Sequence, residues 1–156
     1  MKAKFVDAYM DVADRFSKLS SAKRLQVGAI VVKDDRIISI GYNGMPSGWD
    51  NNCEHEDIGF SDAVFGESQS LVNRGLKTRP EVLHAESNAI AKLARSSESG
   101  DGATLFVTHQ PCMECAKLIY QSGIKAVYYA HPYRLNDGLD FLQKSNINVI
   151  KVEKGS

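Results

Sequence analysis

Residues 104–130 read TLFVTHQPCMECAKLIYQSGIKAVYYA, and the fold turns on how they are parsed. Thr104–Thr108 is apolar and rich in β-formers, which predicts a buried strand. Cys112–Ser122 then carries helix-forming residues, and Gly123-Ile124 has the pattern of a left-handed glycine cap followed by its apolar neighbour. Lys125–Ala130 is a second apolar strand. A strand, a helix and a strand at this spacing form a βαβ unit, whose strands run parallel.

The pattern extends in both directions. Downstream, Asp137–Lys144 predicts a helix and Asn148–Val152 a last strand. Upstream, Ala85–Arg95 predicts a helix. Leu25–Val32 (LQVGAIVV) and Arg36–Gly41 (RIISIG) flank an Asp34-Asp35 turn and read as a hairpin. Phe5, Tyr9, Val12, Phe16 and Leu19 recur at spacings of 4, 3, 4 and 3, the stripe of an amphipathic helix over residues 3–19. Tyr42–Asn52 (YNGMPSGWDNN) is a structured loop. Residues 50–83 are the least periodic part, with a helix expected over Ser61–Arg74 and closed by Gly75. The sum is a hairpin followed by βαβαβ: an α/β fold of three α/β/α layers around a five-stranded mixed sheet. Without repeat or linker, residues 1–156 are expected to form a single domain.

Composition narrows the class. Hydrophobic residues make up 43% and charged residues 24%, ordinary values that exclude collagen-like and disordered chains. Lys+Arg and Asp+Glu are both 19, so the net charge is zero, which argues against a protein that tracks polynucleotides. No apolar run approaches the ~18 residues of a membrane span. The first residues, MKAKFVDAYMDVADRF, mix acids with apolar positions, unlike a signal peptide. A cytoplasmic location is therefore expected. The cysteines, Cys53, Cys112 and Cys115, are too few and odd in number for a disulfide framework.

Two motifs carry chemistry. His84-Ala85-Glu86 opens one helix, and Pro111-Cys112-Met113-Glu114-Cys115 opens the next, with strand Thr104–Thr108 between them. In a parallel layer both helix starts emerge near one sheet edge, so His84, Cys112 and Cys115 can converge on one ion. Cys and His are the ligands zinc prefers, and helix N-termini favour thiolates. Three protein ligands leave a fourth position for water, the mark of a catalytic zinc. Glu86 stands where a carboxylate can relay that water's proton without binding metal. A redox Cys-x-x-Cys pair would give His84-Ala85-Glu86 no role. A structural ribbon would need a fourth ligand, and the remaining thiol, Cys53, lies in the irregular segment.

At these residues the chain resembles a known family. HAESNAIAKLA followed by PCMECAKLIYQSGI is similar to the cytidine deaminase superfamily, whose pattern pairs such a zinc set with a general acid/base Glu. The hairpin VGAIVVKDDRIISIGYNGMPSG narrows the resemblance to the deoxycytidylate (dCMP) deaminases. The resemblance implies zinc-dependent hydrolysis of dCMP to dUMP and ammonia, supplying dUMP for thymidylate synthesis. It implies a homo-hexamer, with activation by dCTP and inhibition by dTTP, Mg2+ accompanying the triphosphates. Rival readings are a deaminase of polynucleotides, of a free base or of a pterin-like ring, and a non-catalytic zinc protein, for which Glu86 would have no use.

The resemblance also assigns substrate residues. Asn43 matches the family residue that bonds the sugar; its alternative is a turn Asn at positive φ. Groups around Ala85 and the Pro111-Cys112 turn would hold the 4-amino group. Tyr133 lies where an aromatic often meets substrate. Arg134 or Arg24 would grip the 5′-phosphate, because Arg binds phosphate oxygens bidentately. His109 and Gln110 are expected to form pocket floor through backbone groups, while His131 matches no pattern. Gly44, Met45 and Pro46 are the candidate effector loop. Some family members hold a second zinc; Cys53 and His55 lie in the right segment, but Ser20-Ser21-Ala22 offers no thiol, which argues against it.

Overall fold

Strict alternation along three neighbouring strands divides the apolar residues between two cores. The structure, a computed structural model, describes residues 1–57 and 75–153. Strands β1 (Gly28–Lys33), β5 (Thr104–His109) and β6 (Ala126–His131) form the middle of the sheet. Ala29, Val31, Leu105, Val107, Val127 and Tyr129 enter one core, while Ile30, Val32, Phe106 and Tyr128 enter the other. Successive side chains of a strand point to opposite faces, so two cores require helices on both.

Helix α1 (Ala3–Ser17) covers the second face with Val6, Met10 and Ala13, and Tyr9 packs on the Phe106 ring. The first face takes α2 (Ala85–Leu93) and α3 (Met113–Gln121), joined by α4 (Asp137–Lys144) through Leu142. The five-stranded sheet runs β2-β1-β5-β6-β7, with β2 spanning Arg36–Tyr42 and β7 spanning Asn148–Lys151. β5, β6 and β7 are parallel, whereas β1 pairs antiparallel with both β2 and β5, so the sheet is mixed, as expected.

Local chemistry accounts for the connections. Asp34 and Asp35 both have positive φ, 51° and 59°, as a two-residue hairpin turn between right-twisted strands requires. Gly123 has φ 83° and closes α3 as the glycine cap predicts. Element ends differ from the sequence reading by a few residues; the first strand starts at Gly28 rather than Leu25, because residues 25–27 are taken up by loop bonds. The larger correction lies within residues 50–83. A second, two-stranded sheet pairs β3 (Glu54–Asp57) with β4 (Gly75–Thr78), both short and polar and so without a periodic signal. The helix expected over Ser61–Arg74 lies outside the described residues.

Gly138, in the first turn of α4, abuts the chain at Pro111 and Cys112; a Cβ there would strike the Pro111 carbonyl and the Cys112 backbone. Backbone cannot give way as a flexible side chain can. Gly138→Ala is expected to destabilise the fold by about 1–3 kcal/mol, lowering Tm by roughly 2–12 °C. Thermal unfolding of the two proteins checks this, and an unchanged Tm would show that α4 can shift freely.

Candidate active site

Two helix starts meet at the carboxyl edge of the parallel strands, where open α/β sheets bind ligands. His84 immediately precedes α2, and Cys112 immediately precedes α3. Both have extended backbone and neither caps its helix with a side-chain hydrogen bond, so ring and thiol are left for other partners. Cys115, in the first turn of α3, is buried beside them. His84 Nδ1 lies 3.6 Å from Cys112 Sγ and 3.4 Å from Cys115 Sγ. The three donor atoms lie within 4.8 Å of one another. A tetrahedral zinc with Zn–S of ~2.3 Å and Zn–N of ~2.0 Å separates nitrogen and sulfur donors by about 3.5 Å. The donor set therefore fits zinc, with Nδ1 as the histidine donor and one position left over.

Charge is distributed to suit a cation. The Cys112 thiol is held down to about 4, mainly by its bond with the Cys115 thiol and then by His84, against burial. Cys115 is pushed up, because it is the donor in that bond and is buried. His84 is raised, chiefly through its bond to Cys112. One thiolate thus forms readily at the N-terminus of α3.

Glu86 is only 5% exposed. Burial raises its carboxyl to about 7, against the opposing pull of its own backbone and of His84. Near neutrality such a group can both take and return a proton.

A cavity of about 130 Å³ opens onto His84, Ala85, Glu86 and Cys112. Asn43, Arg24 and Tyr133 also line it, so these expected site residues are brought together. Arg134 does not line this cavity; it is exposed, with its guanidinium carbon 5.9 Å from the centre of the Tyr133 ring. Asn43 is already engaged: Oδ1 accepts from the Val27 N–H at 2.8 Å, and Nδ2 donates to the Leu25 carbonyl at 2.8 Å. Its φ is not positive, so it is not the left-handed turn residue of the alternative reading. Gly44 exchanges backbone bonds with Leu83, and Met45 packs on Ala22, Cys53 and Val82. Gly44, Met45 and Pro46 face a separate groove of about 690 Å³, which Asn43 also borders.

Sequence reasoning undervalued three residues. The His109 side chain reaches the cavity, with Nδ1 2.8 Å from Thr108 Oγ1 and its ring 4.9 Å from that of His131, its partner across the parallel strands. Burial, and then His131, lower His109 to about 4, so it is neutral at physiological pH. Gln110 works through its side chain: Oε1 accepts from the Tyr133 N–H at 3.2 Å, and Nε2 donates to the Leu135 carbonyl at 2.7 Å. Thr78 also lines the cavity, carried there by the strand that the pattern did not reveal.

A donor set that fits zinc beside a carboxyl that changes protonation near neutrality suits hydrolytic chemistry, and the α/β/α fold around it is that of the hydrolytic deaminases. Residues 3–131 match the family described as the cytidine and deoxycytidylate deaminase zinc-binding region, and the chain belongs to that family. Its deoxycytidylate deaminase relatives include that of phage T4, 34% identical over 99% of this chain and 91% of the relative. That of Mycobacterium phage D29 is 40% identical over 78% of this chain and 90% of the relative. A crystal structure of the dCMP deaminase of cyanophage S-TIM5, in complex with dCMP and dUMP, superposes with a TM-score of 0.82. It is 45% identical, and the match covers 97% of this chain and 99% of that one. The fold is thus the cytidine deaminase-like one.

Cys112→Ser and Cys115→Ser are each expected to bring zinc below one ion per chain, because a hydroxyl is a far poorer zinc ligand than a thiolate. Glu86→Gln is expected to keep its zinc. Elemental analysis after dialysis against a mild chelator checks both, and full zinc retention by both Ser variants would remove the cysteines from the ligand set.

Proposed function

We propose that the protein deaminates dCMP to dUMP and ammonia, supplying dUMP for thymidylate synthesis. The observation that carries this reading is Arg24, a cation lining the same cavity as His84 and Glu86. The 45% identity to a deaminase crystallised with dCMP and dUMP supports it. Between the two candidate arginines, Arg24 is the phosphate ligand favoured here, because Arg134 is turned to Tyr133 and lies outside the cavity lining.

In this reading His84, Cys112 and Cys115 hold one zinc ion per chain. When bound, zinc acidifies a water in its open position from a pKa of ~15.7 to about 7. Glu86 takes a proton from the attacking water as its oxygen bonds to C4 of cytosine, and passes it to N3. Glu86 then moves a second proton to the 4-amino group, the C4–N bond breaks, and ammonia leaves with dUMP as product. The Ala85 and Pro111–Cys112 backbone holds the 4-amino group. Tyr133 packs beside the base, and Asn43 offers the sugar whatever its two backbone bonds leave free. Neutral His109 adds no charge that would compete with Arg24 for the phosphate.

Control by effectors belongs to the same reading. The groove beside Gly44, Met45 and Pro46 is also lined by Lys92 and Arg95, cations suited to a triphosphate with its Mg2+. Asn43 borders both groove and cavity, so an effector that prefers one arrangement of the loop would bias the substrate residue. Leu19, Tyr42 and Leu83, apolar and exposed, line the groove as well, which supports a homo-oligomer, a hexamer by family resemblance, that closes over it. Unpaired thiols suit a reducing compartment, and a cytoplasmic location completes the reading. No helix among the described residues is long and apolar enough to cross a membrane.

Ammonia release from dCMP, dCTP, deoxycytidine and single-stranded DNA tests the substrate. kcat/KM for dCMP should exceed that for deoxycytidine by roughly 10- to 150-fold, the worth of a charged hydrogen bond. Arg24→Ala should erase the gap and Arg134→Ala should keep it. Glu86→Gln should lower kcat by ~10²-fold or more. Equal kcat/KM for nucleoside and nucleotide would overturn the reading.

dCTP with Mg2+ should lower the half-saturating dCMP concentration and dTTP should raise it. A tenfold change needs only ~1.4 kcal/mol of coupling. Arg95→Ala should blunt both responses. Hyperbolic kinetics that neither triphosphate alters would rule this control out.

A further inference from the structure

Glu54 is a buried acid that the reaction does not use. It opens β3 and is 4% exposed. Its Oε1 accepts backbone N–H groups from Lys23 at 2.7 Å and Arg24 at 3.0 Å. Its Oε2 is buried with no hydrogen-bond partner among the described residues. Burying a carboxylate and leaving one oxygen unpaired is costly, so its retention needs a cause.

The pairing of β3 with β4 supplies one. Glu54 lies directly opposite Thr78, and Thr78 Oγ1 accepts from Arg24 Nη1 at 2.9 Å. One cross-strand pair therefore grips Arg24 at both ends, Glu54 by the main-chain amide and Thr78 by the guanidinium. Arg24 otherwise stands on an exposed loop between α1 and β1, on a long side chain with many rotamers. Thr78 uses a single guanidinium N–H, and the rest of the fork is left for an anion.

The structure assigns Glu54 and Thr78 as positioning residues, which hold Arg24 at the cavity for the anionic end of the substrate. This rests on the reading that Arg24 binds the 5′-phosphate. It gives the short β3–β4 sheet a function: selecting the nucleotide over the nucleoside.

The test compares kcat/KM for dCMP and deoxycytidine in variants of the zinc-loaded, full-length protein. Glu54→Ala should cut the dCMP-to-deoxycytidine ratio by roughly tenfold or more, within the ~10- to 150-fold that the phosphate contact itself supplies. The loss should appear in KM for dCMP rather than in kcat. Glu54→Gln, which keeps an acceptor oxygen, should restore most of the ratio. Thr78→Val, which keeps the shape and removes the acceptor, should lower the ratio in the same way and carries the test should Glu54→Ala not fold. In an Arg24→Ala background, neither change should lower the ratio further. Equal losses on both substrates would show a merely structural role and overturn the assignment, as would an unchanged ratio. Arg24→Ala separates the two readings. If it leaves the ratio intact, the phosphate reading fails and takes this one with it; if it collapses the ratio while Glu54→Ala and Thr78→Val do not, the positioning assignment alone fails.

Discussion

The pairing of β5 with β1 on one side and β6 on the other is the constraint on which the rest depends. Leu105, Phe106 and Val107 are fully buried, and each such side chain contributes about 1.5–3 kcal/mol relative to exposure. Their alternation assigns α1 to one face and the other three described helices, α2, α3 and α4, to the other. With β5 fixed, its carboxyl end delivers Cys112 and Cys115, and α2, packed against β1 and β2, brings His84 at its start to the same edge. The metal-ligand set is thus a consequence of sheet topology, with ligands about thirty residues apart in the chain brought within one ion's reach.

That position sets opposing electrostatic demands. Burial favours the neutral form of every acid there, and Glu86 responds by rising towards neutrality. The neighbouring Cys115 thiol, and then His84, favour the opposite for Cys112, which is held as thiolate against its burial. Two acidic groups close together are thereby driven apart in protonation, one kept to attract a cation and the other left able to move a proton. Burial, and then His131, keep His109 neutral in the lining of the same cavity.

Around this centre, the cavity wall is built from residues that also hold loops. Asn43 ties the stretch after β2 to residues 25 and 27 and at the same time separates cavity from groove. Gln110 fastens the segment carrying Tyr133 by three bonds from one buried amide. Arg24 is fastened from the β3–β4 sheet. In each case a residue lining the cavity is held by hydrogen bonds to residues distant in sequence. Geometry there depends on loop packing and not on a single helix or strand.

The sequence by itself determined the layers, the βαβ core and the His84, Glu86, Cys112 and Cys115 grouping. Period-two alternation, glycine caps and ligand spacing along one helical turn are local, and local pattern is what a sequence records directly. The tertiary structure alone decided which arginine faces the cavity, because Arg24 and Arg134 look alike as isolated surface residues. It alone decided that Asn43 is bound to backbone at both ends of its amide and that His109 presents its ring. The β3–β4 sheet was hidden for a related reason: its strands are short and polar, so they bury too little to leave a hydrophobic period. Their pairing puts Glu54 opposite Thr78 across residues that are far apart in the chain, and such long-range register is a property of the folded molecule that no local run of residues encodes.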